Sequence, residues 1–397
     1  MDSARVRAAA GGAAGHRRGA AMHATGVGVV LFVVTSSVYL QVPLYPAYAA
    51  AARVGTGHTG LMFGAYVAGL LPVLLGLGGA SDRVGRRPVL AAGVVASCLA
   101  TLLMIVRPEF STLVAARVLQ GVGMGLSVGT GTAYLAEIAG TGAAERAAGY
   151  AAAATILGSG GGALFTSAAL LLAGPTLTPV SYAAVLAASV GCLALVRAMP
   201  PERRAAGDGR ARTPILRLPA YPAGSVAAGL AIAAAWAVTG LVIVVVPAQL
   251  AREGLGGWSG PAIFLVNAAG AACQPWARRM GARRALRAGL WVLPAGYALL
   301  VAGAALGWLP LLLLGAAVVG SACYGFTYLG GLAEAARLGG ADRARSVSGF
   351  FLCAYLGFSL PPAAVGFLAD RIGVLPALTA FGAALVLAHA ALAGRYS

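Results

Sequence analysis

Residues 78–90 read Gly78-Gly79-Ala80-Ser81-Asp82-Arg83-Val84-Gly85-Arg86-Arg87-Pro88-Val89-Leu90. One acid and three arginines are gathered around Gly85, between apolar runs near 59–80 and 88–106. A run of ~20 apolar residues is long enough to cross a bilayer as a helix. Two such runs joined by a short charged turn form a membrane hairpin, and repetition of that unit along the chain decides the fold.

The remainder of the 397 residues continues in this way, with 59% hydrophobic and only 10% charged. A water-soluble chain has too little interior to hide that much apolar surface. Lipid is therefore a partner, and in lipid a spanning segment must satisfy its own backbone groups. A β-barrel would alternate apolar and polar residues, whereas these runs are unbroken. Further runs lie near 26–49, 111–136, 147–173, 179–198, 222–248, 258–277, 285–305, 309–333, 347–369 and 374–394. The sequence therefore predicts an all-α membrane protein with twelve transmembrane helices.

Several function classes are excluded or disfavoured by composition. The net charge of +17 rests on 28 basic residues, all arginine. They sit in short hinges between apolar runs, which argues against nucleic acid and for loop charge on the cytoplasmic side of a membrane. Without lysine there is no Walker A phosphate loop and no Schiff-base catalysis. Cys98, Cys192, Cys273, Cys323 and Cys353 all fall inside apolar runs, and His16, His23, His58 and His389 are scattered. Neither set has metal-ligand spacing. No metal, no cofactor and no enzyme activity are expected.

The longest polar interruption, 199–219, holds Pro200, Pro201, Arg203, Arg204, Asp208 and Arg210. It reads as a cytoplasmic linker between an N-terminal six-helix bundle, 26–198, and a C-terminal one, 220–397. Residues 1–25, rich in Gly, Ala and Arg, read as a disordered cytoplasmic tail. Placing both termini in the cytoplasm puts 23 arginines on the cytoplasmic side and four outside, namely Arg53, Arg107, Arg252 and Arg371. Arg117 remains, inside a helix. The halves also repeat. Gly85-Arg86-Arg87 recurs as Gly281-Ala282-Arg283-Arg284, and Glu145-Arg146 as Asp342-Arg343, at the same chain spacing to within a residue. A parallel duplication of a six-helix unit is one architecture transporters use.

The 78–90 stretch resembles the signature loop between helices two and three of the major facilitator superfamily, Gly-x-x-x-Asp-Arg-x-Gly-Arg-Arg/Lys. Gly78, Asp82, Arg83, Gly85, Arg86 and Arg87 meet the pattern. The resemblance implies two pseudo-symmetric six-helix bundles that rock about a central solute site. It also implies an inner gate, in which Asp82 lies near the start of helix eleven and Arg86 meets Glu137 at the inner end of helix four. The second-half copy departs, with Gln274 in place of the first glycine and Arg278 in place of the aspartate.

Helix four carries Arg117-Val118-Leu119-Gln120-Gly121-Val122-Gly123, which resembles the family's Arg-x-x-Gln-Gly-x-Gly motif. An arginine within the membrane must face a cavity or a partner. It either influences proton transfer or is held structurally by carbonyls of helix one and by Gln120. Pro43 and Pro46 resemble a helix-one motif of twelve-helix drug/proton antiporters. Gly158-Ser159-Gly160-Gly161-Gly162 lacks the proline that those antiporters carry, and reads as a close-packing patch.

In this fold helices one, four, seven and ten line the cavity. The substrate or coupling candidates are Tyr39, Arg117, Gln120, Gln249, Tyr324 and Tyr328, joined by Asn267 and Tyr355. Membrane-centre carboxylates are absent from helices one, four, five, seven, eight, ten and eleven. Proton coupling would therefore fall to Asp82, Glu137 or His389. A central arginine without an acid suits an anionic or polar neutral solute. The expected function is secondary transport by a monomer in the cytoplasmic membrane, exporting a small organic compound by proton antiport. An importer or uniporter of a sugar or organic acid is the alternative, and a non-transporting sensor keeps the fold without the motion.

Overall fold

The computed structural model describes residues 2–77, 80–139, 144–200 and 218–393, with side chains described from Ala21 to Leu392 outside Ala80 and, around the 4–5 turn, outside 139–148. Gly78 and most of the 199–219 linker lie outside the described residues. Twelve long helices cross the molecule: α1 (Asp2–Tyr39), α2 (Thr56–Gly76), α3 (Arg86–Val106), α4 (Phe110–Ala139), α5 (Ala144–Ala173), α6 (Val180–Ala198), α7 (Ser225–Val244), α8 (Ser259–Met280), α9 (Ala282–Ala305), α10 (Leu309–Leu338), α11 (Arg343–Ile372) and α12 (Val374–Ala393). Among the described residues there is no strand. Among the described residues, eleven segments are long and apolar enough to span a membrane. The twelfth helix, α8, carries Asn267, Gln274, Arg278 and Arg279, which dilute its apolar content. An even number of crossings returns the chain to its starting side. That side is called the near end below, and the opposite side the far end.

The halves pack alike. α1 lies on α5, α2 on α4, α3 on α4 and α3 on α6; in the second half α7 lies on α11, α8 on α10, α9 on α10 and α9 on α12. The halves meet along two seams, α2 against α11 and α5 against α8. Lipid tails offer no hydrophobic drive between helices, so close van der Waals packing at small residues supplies the association. Gly121 of α4 leaves room for the Tyr66 carbonyl of α2, and Gly123 for the Gly93 carbonyl of α3. Gly85 and Gly281 open α3 and α9 at φ of 114° and 80°, a region comfortable only for glycine. The sequence repeat is thus a backbone repeat.

Four features differ from the sequence reading. α1 begins at Asp2, through the stretch read as a disordered tail; the segment is alanine-rich and has no proline before Pro43, although Gly11, Gly12, Gly15 and Gly19 lower its helix propensity. α1 stops at Tyr39, before a short 3-10 turn at Val42–Leu44 and a helix at Tyr45–Ala52, because Pro43 and Pro46 cannot donate backbone hydrogen bonds. α7 likewise breaks at Val245 beside Pro247, and continues as Val246–Arg252. Within α10, Ser321–Thr327 forms a π-helix that holds Tyr324.

Candidate substrate pathway and gates

At the near end, Arg86 is the hub of the quoted stretch. Its Nη1 lies 2.6 Å from Asp82 Oδ1 and its Nη2 2.9 Å from Glu137 Oε1. Nη1 also donates to Ser81 Oγ at 2.6 Å. This matches the Arg86–Glu137 contact that the resemblance implies; the bond described for Asp82 is with Arg86. Arg87 donates to the Val196 carbonyl at 3.2 Å and to the Arg197 carbonyl, the last turn of α6, where a cation is favoured. Arg83 belongs to the short helix Ala80–Val84. The second half keeps the central pair despite its departures. Arg283 Nε meets Glu334 Oε1 at 3.3 Å over the same 51-residue separation, and Arg337 Nη2 adds a contact of 2.6 Å. These pairs tie α3 to α4 and α9 to α10, each within one half.

At the far end two polar contacts join the halves. The α2 N-cap is Gly55, which has no side chain to accept the first amides. Asp370 of α11 supplies that acceptor: Thr56 N donates to Oδ1 at 2.7 Å and Gly57 N to Oδ2 at 2.9 Å. Gly57 and Gly60 leave room there for Phe367 and Ala363. On the other seam, Gly260 N in the first turn of α8 donates to Ser167 Oγ of α5 at 3.2 Å. Gly160 faces the Phe264 backbone, while Gly158 and Gly162 face the Phe32 and Ser36 carbonyls of α1. The glycine run therefore packs α5 between α1 and α8, as the close-packing reading expects. Sequence analysis assigned Asp370 no role; an uncapped α2 start was the available signal.

Between the ends sits Arg117, 1% exposed. Because α1 stops at Tyr39, its last carbonyls lack helical partners. Arg117 Nη1 donates to the Val38 carbonyl at 2.7 Å and to Gln120 Oε1 at 3.1 Å. Gln120 Nε2 donates to the Ser37 carbonyl at 2.8 Å, and Gln41 Nε2 to Gln120 Oε1 at 2.9 Å. These are the helix-one carbonyl and the glutamine that the structural option names. No carboxylate appears among these contacts. Phe63 and Tyr66 of α2 lie 5.2 and 4.7 Å from the guanidinium carbon, as cation–π partners. Arg117 Nε has no hydrogen-bond partner.

From Phe63 a chain of rings crosses to the second half. Phe63 meets Phe358 at 4.8 Å, Phe358 meets Trp236 at 5.5 Å, and Trp236 meets Tyr355 at 5.1 Å and Tyr324 at 6.1 Å. Phe351 links Tyr355 to Tyr328. Tyr39 ends α1 next to Val38, whose carbonyl accepts from Arg117, and Tyr66 lies under the Arg117 guanidinium. The structure thus gathers Tyr39, Arg117, Gln120, Tyr324, Tyr328 and Tyr355 about the interface. It does not gather Gln249, whose amide donates to Glu253 at 3.0 Å, one turn along a far-end helix. Asn267 donates to the Ile263 carbonyl of its own helix and lies on the α5–α8 seam. His389 is buried in α12 against its own Leu385 carbonyl. Sequence reading missed Phe63, Trp236 and Phe358, because apolar aromatics in a membrane helix look like any other filler. Among the described residues no group of His, Cys, Asp and Glu could hold a metal ion.

The sequence profile described as Major Facilitator Superfamily matches residues 27–351. No curated protein sequence matches the chain. Among solved structures, the fold is similar to that of a bacterial homologue of the human lysosomal transporter Spinster, inward-facing and unoccupied. That similarity has a TM-score of 0.73 at 14% identity, covering 95% of this chain and 96% of the other. The human organic anion transporter MFSD10 (TETRAN) matches with TM-score 0.65 at 18% identity, over 95% and 99% of the two chains. A D-xylose–proton symporter matches with TM-score 0.67 at 16% identity, over 95% and 97%. At these identities the similarity shows the fold alone.

Proposed function

The chain belongs to the Major Facilitator Superfamily, and from that premise we propose that it exports a small organic compound by alternating access, in exchange for protons. One observation carries the reading: among the described residues, amides at two far-end helix starts donate across the halves, to Asp370 and to Ser167, whereas the near-end pairs Arg86–Glu137 and Arg283–Glu334 each lie within a half. A carrier closed outside and open inside has this distribution. With the positive-inside rule assigning the near end to the cytoplasm, the rings around Trp236 face a solute arriving from within. An interface walled by Phe63, Phe358, Trp236, Tyr324 and Tyr355 suits a flat apolar body better than a sugar, which needs many hydrogen-bond partners. Asp82 and Glu137, at the near-end hub, are the carboxylates placed to exchange protons with the cytoplasm as the gate opens and closes.

A second reading is favoured by a specific observation. Arg117 is held by carbonyls, with no carboxylate in its shell to relay a proton. That suits a uniporter or an importer of an organic acid. Everted vesicles with a preset proton gradient separate the two. Under antiport, adding a transported compound collapses the gradient with wild-type protein and not with Asp82→Asn. Labelled-solute flux with the gradient untouched replaces antiport by uniport. A protein that moves no solute under either regime is a sensor, and the export reading fails.

A further inference from the structure

We propose that Arg117 and the rings beside it form a subsite for an organic anion with a flat apolar body, an aromatic carboxylate in class. The inference rests on the transport reading for its purpose, though not for its geometry. Burying a full positive charge is costly unless something negative answers it. The broken C-terminal end of α1 answers in part, since a helix terminus carries about half an elementary charge. Among the described residues no acid pairs with Arg117: Asp82 and Glu137 meet Arg86, Glu334 meets Arg283 and Arg337, and Asp370 caps α2.

The guanidinium is also only partly used. Both of its hydrogen bonds leave from Nη1, and Nε is buried without a partner. Phe63 and Tyr66 lie within cation–π range of it, so the unused in-plane edge, Nε with Nη2, is the fork that takes a carboxylate bidentately. The body of such a ligand finds Phe63, Phe358 and Trp236 next in line, and the buried Trp236 Nε1 is a second donor without a partner. Two unpaired buried donors, one of them charged, joined by a path of rings, select a negative, aromatic ligand. They disfavour a cation, which would meet Arg117 with no acid to balance it.

The test uses the full chain in lipid nanodiscs and three isosteric probes: 2-naphthoate, 2-naphthamide and 2-(aminomethyl)naphthalene, with affinity read by calorimetry. The expected result is that naphthoate binds at least about ten-fold tighter than the other two, the scale of one charge-assisted hydrogen bond. In Arg117→Gln that preference disappears; in Arg117→Lys, which keeps charge without the fork, it shrinks. Should Arg117→Gln fail to fold, the wild-type series and the lysine variant decide alone. Equal or tighter binding of the amine by wild type overturns the proposal, as does a naphthoate preference that survives Arg117→Gln. Naphthoate binding without flux in vesicles would leave the subsite standing and sink the carrier reading. Flux without any anion preference would do the reverse.

Discussion

At the scale of single residues, the two Arg–Glu pairs show how one chemical contact takes different weight in two settings. The Glu334 side chain is 4% exposed and accepts from both Arg283 and Arg337, whereas Glu137 is 44% exposed and meets Arg86. Water screens the more open pair, and exposed pairs contribute about 0–1 kcal/mol. Glu334→Gln should therefore lower stability by about 2 kcal/mol, the scale of hydrogen bonds to a charged group. Glu137→Gln should cost less than about 1 kcal/mol. Arg283→Ala and Arg337→Ala should each cost less than Glu334→Gln, because the other arginine remains. Thermal melting of the four variants in one detergent ranks them, and a larger loss for Glu137 would mean that burial does not set the strength of these pairs. The sequence made Arg86 and Glu137 visible through a motif. It could not reveal Arg283–Glu334 as a pair, because the surrounding pattern is broken by Gln274 and Arg278. Nor could it settle the shell of Arg117, which depends on where α1 ends and so on Pro43, four residues past Tyr39.

At the scale of helices, legibility followed the strength of the apolar signal. Runs read at 88–106 and 374–394 became α3 (Arg86–Val106) and α12 (Val374–Ala393), nearly unchanged. The interruptions inside helices were harder to read. The π-helix at Ser321–Thr327 has no proline in its sequence, and lies where α10 packs tightly on α8, with Gly320 against the Val266 carbonyl and Gly325 against Cys273. Glycines in these helices are of two kinds. Gly160 has the Phe264 Cα at 2.9 Å from where a Cβ would stand, backbone that cannot yield without moving α8, whereas Gly191 has nothing within 4 Å. Gly191→Ala should stabilise the fold by about 0.5–1 kcal/mol through helix propensity alone. Gly160→Leu should wedge α5 from α8, lowering the melting temperature and slowing transport together. Equal melting temperatures for Gly160→Leu and wild type would show that this seam tolerates separation, and that the glycine run is not there for packing.

At the scale of the whole molecule, the twelve-helix count, the duplication and the superfamily were legible from hydropathy and one loop, whereas the conformational state was not. State depends on which end holds the interhalf bonds, and those bonds come from single side chains at helix ends. Asp370 on one seam and Ser167 on the other each accept from the first amides of a helix in the opposite half. A carboxylate at a helix N-terminus is favoured by the helix dipole as well as by the two bonds, so Asp370 is the stronger of the two latches. To open the far end the chain must break both, and their loss should move the equilibrium between the two states rather than unfold either. Ser359, buried on α11 opposite Gly64 of α2, reports on that seam. With cysteine at 359 and the five native cysteines replaced, a membrane-impermeant maleimide added from the far side should label slowly. Asp370→Ala should speed labelling by about ten-fold, the effect of roughly 1.4 kcal/mol on a two-state balance. Asp370→Asn, which keeps one acceptor oxygen, should fall between. Ser167→Ala should add a smaller and independent increment, since the seams share no side chain. A labelling rate indifferent to Asp370 would mean that the far end is held by glycine packing alone, with Gly57 and Gly60 against Phe367 and Ala363 as the gate itself.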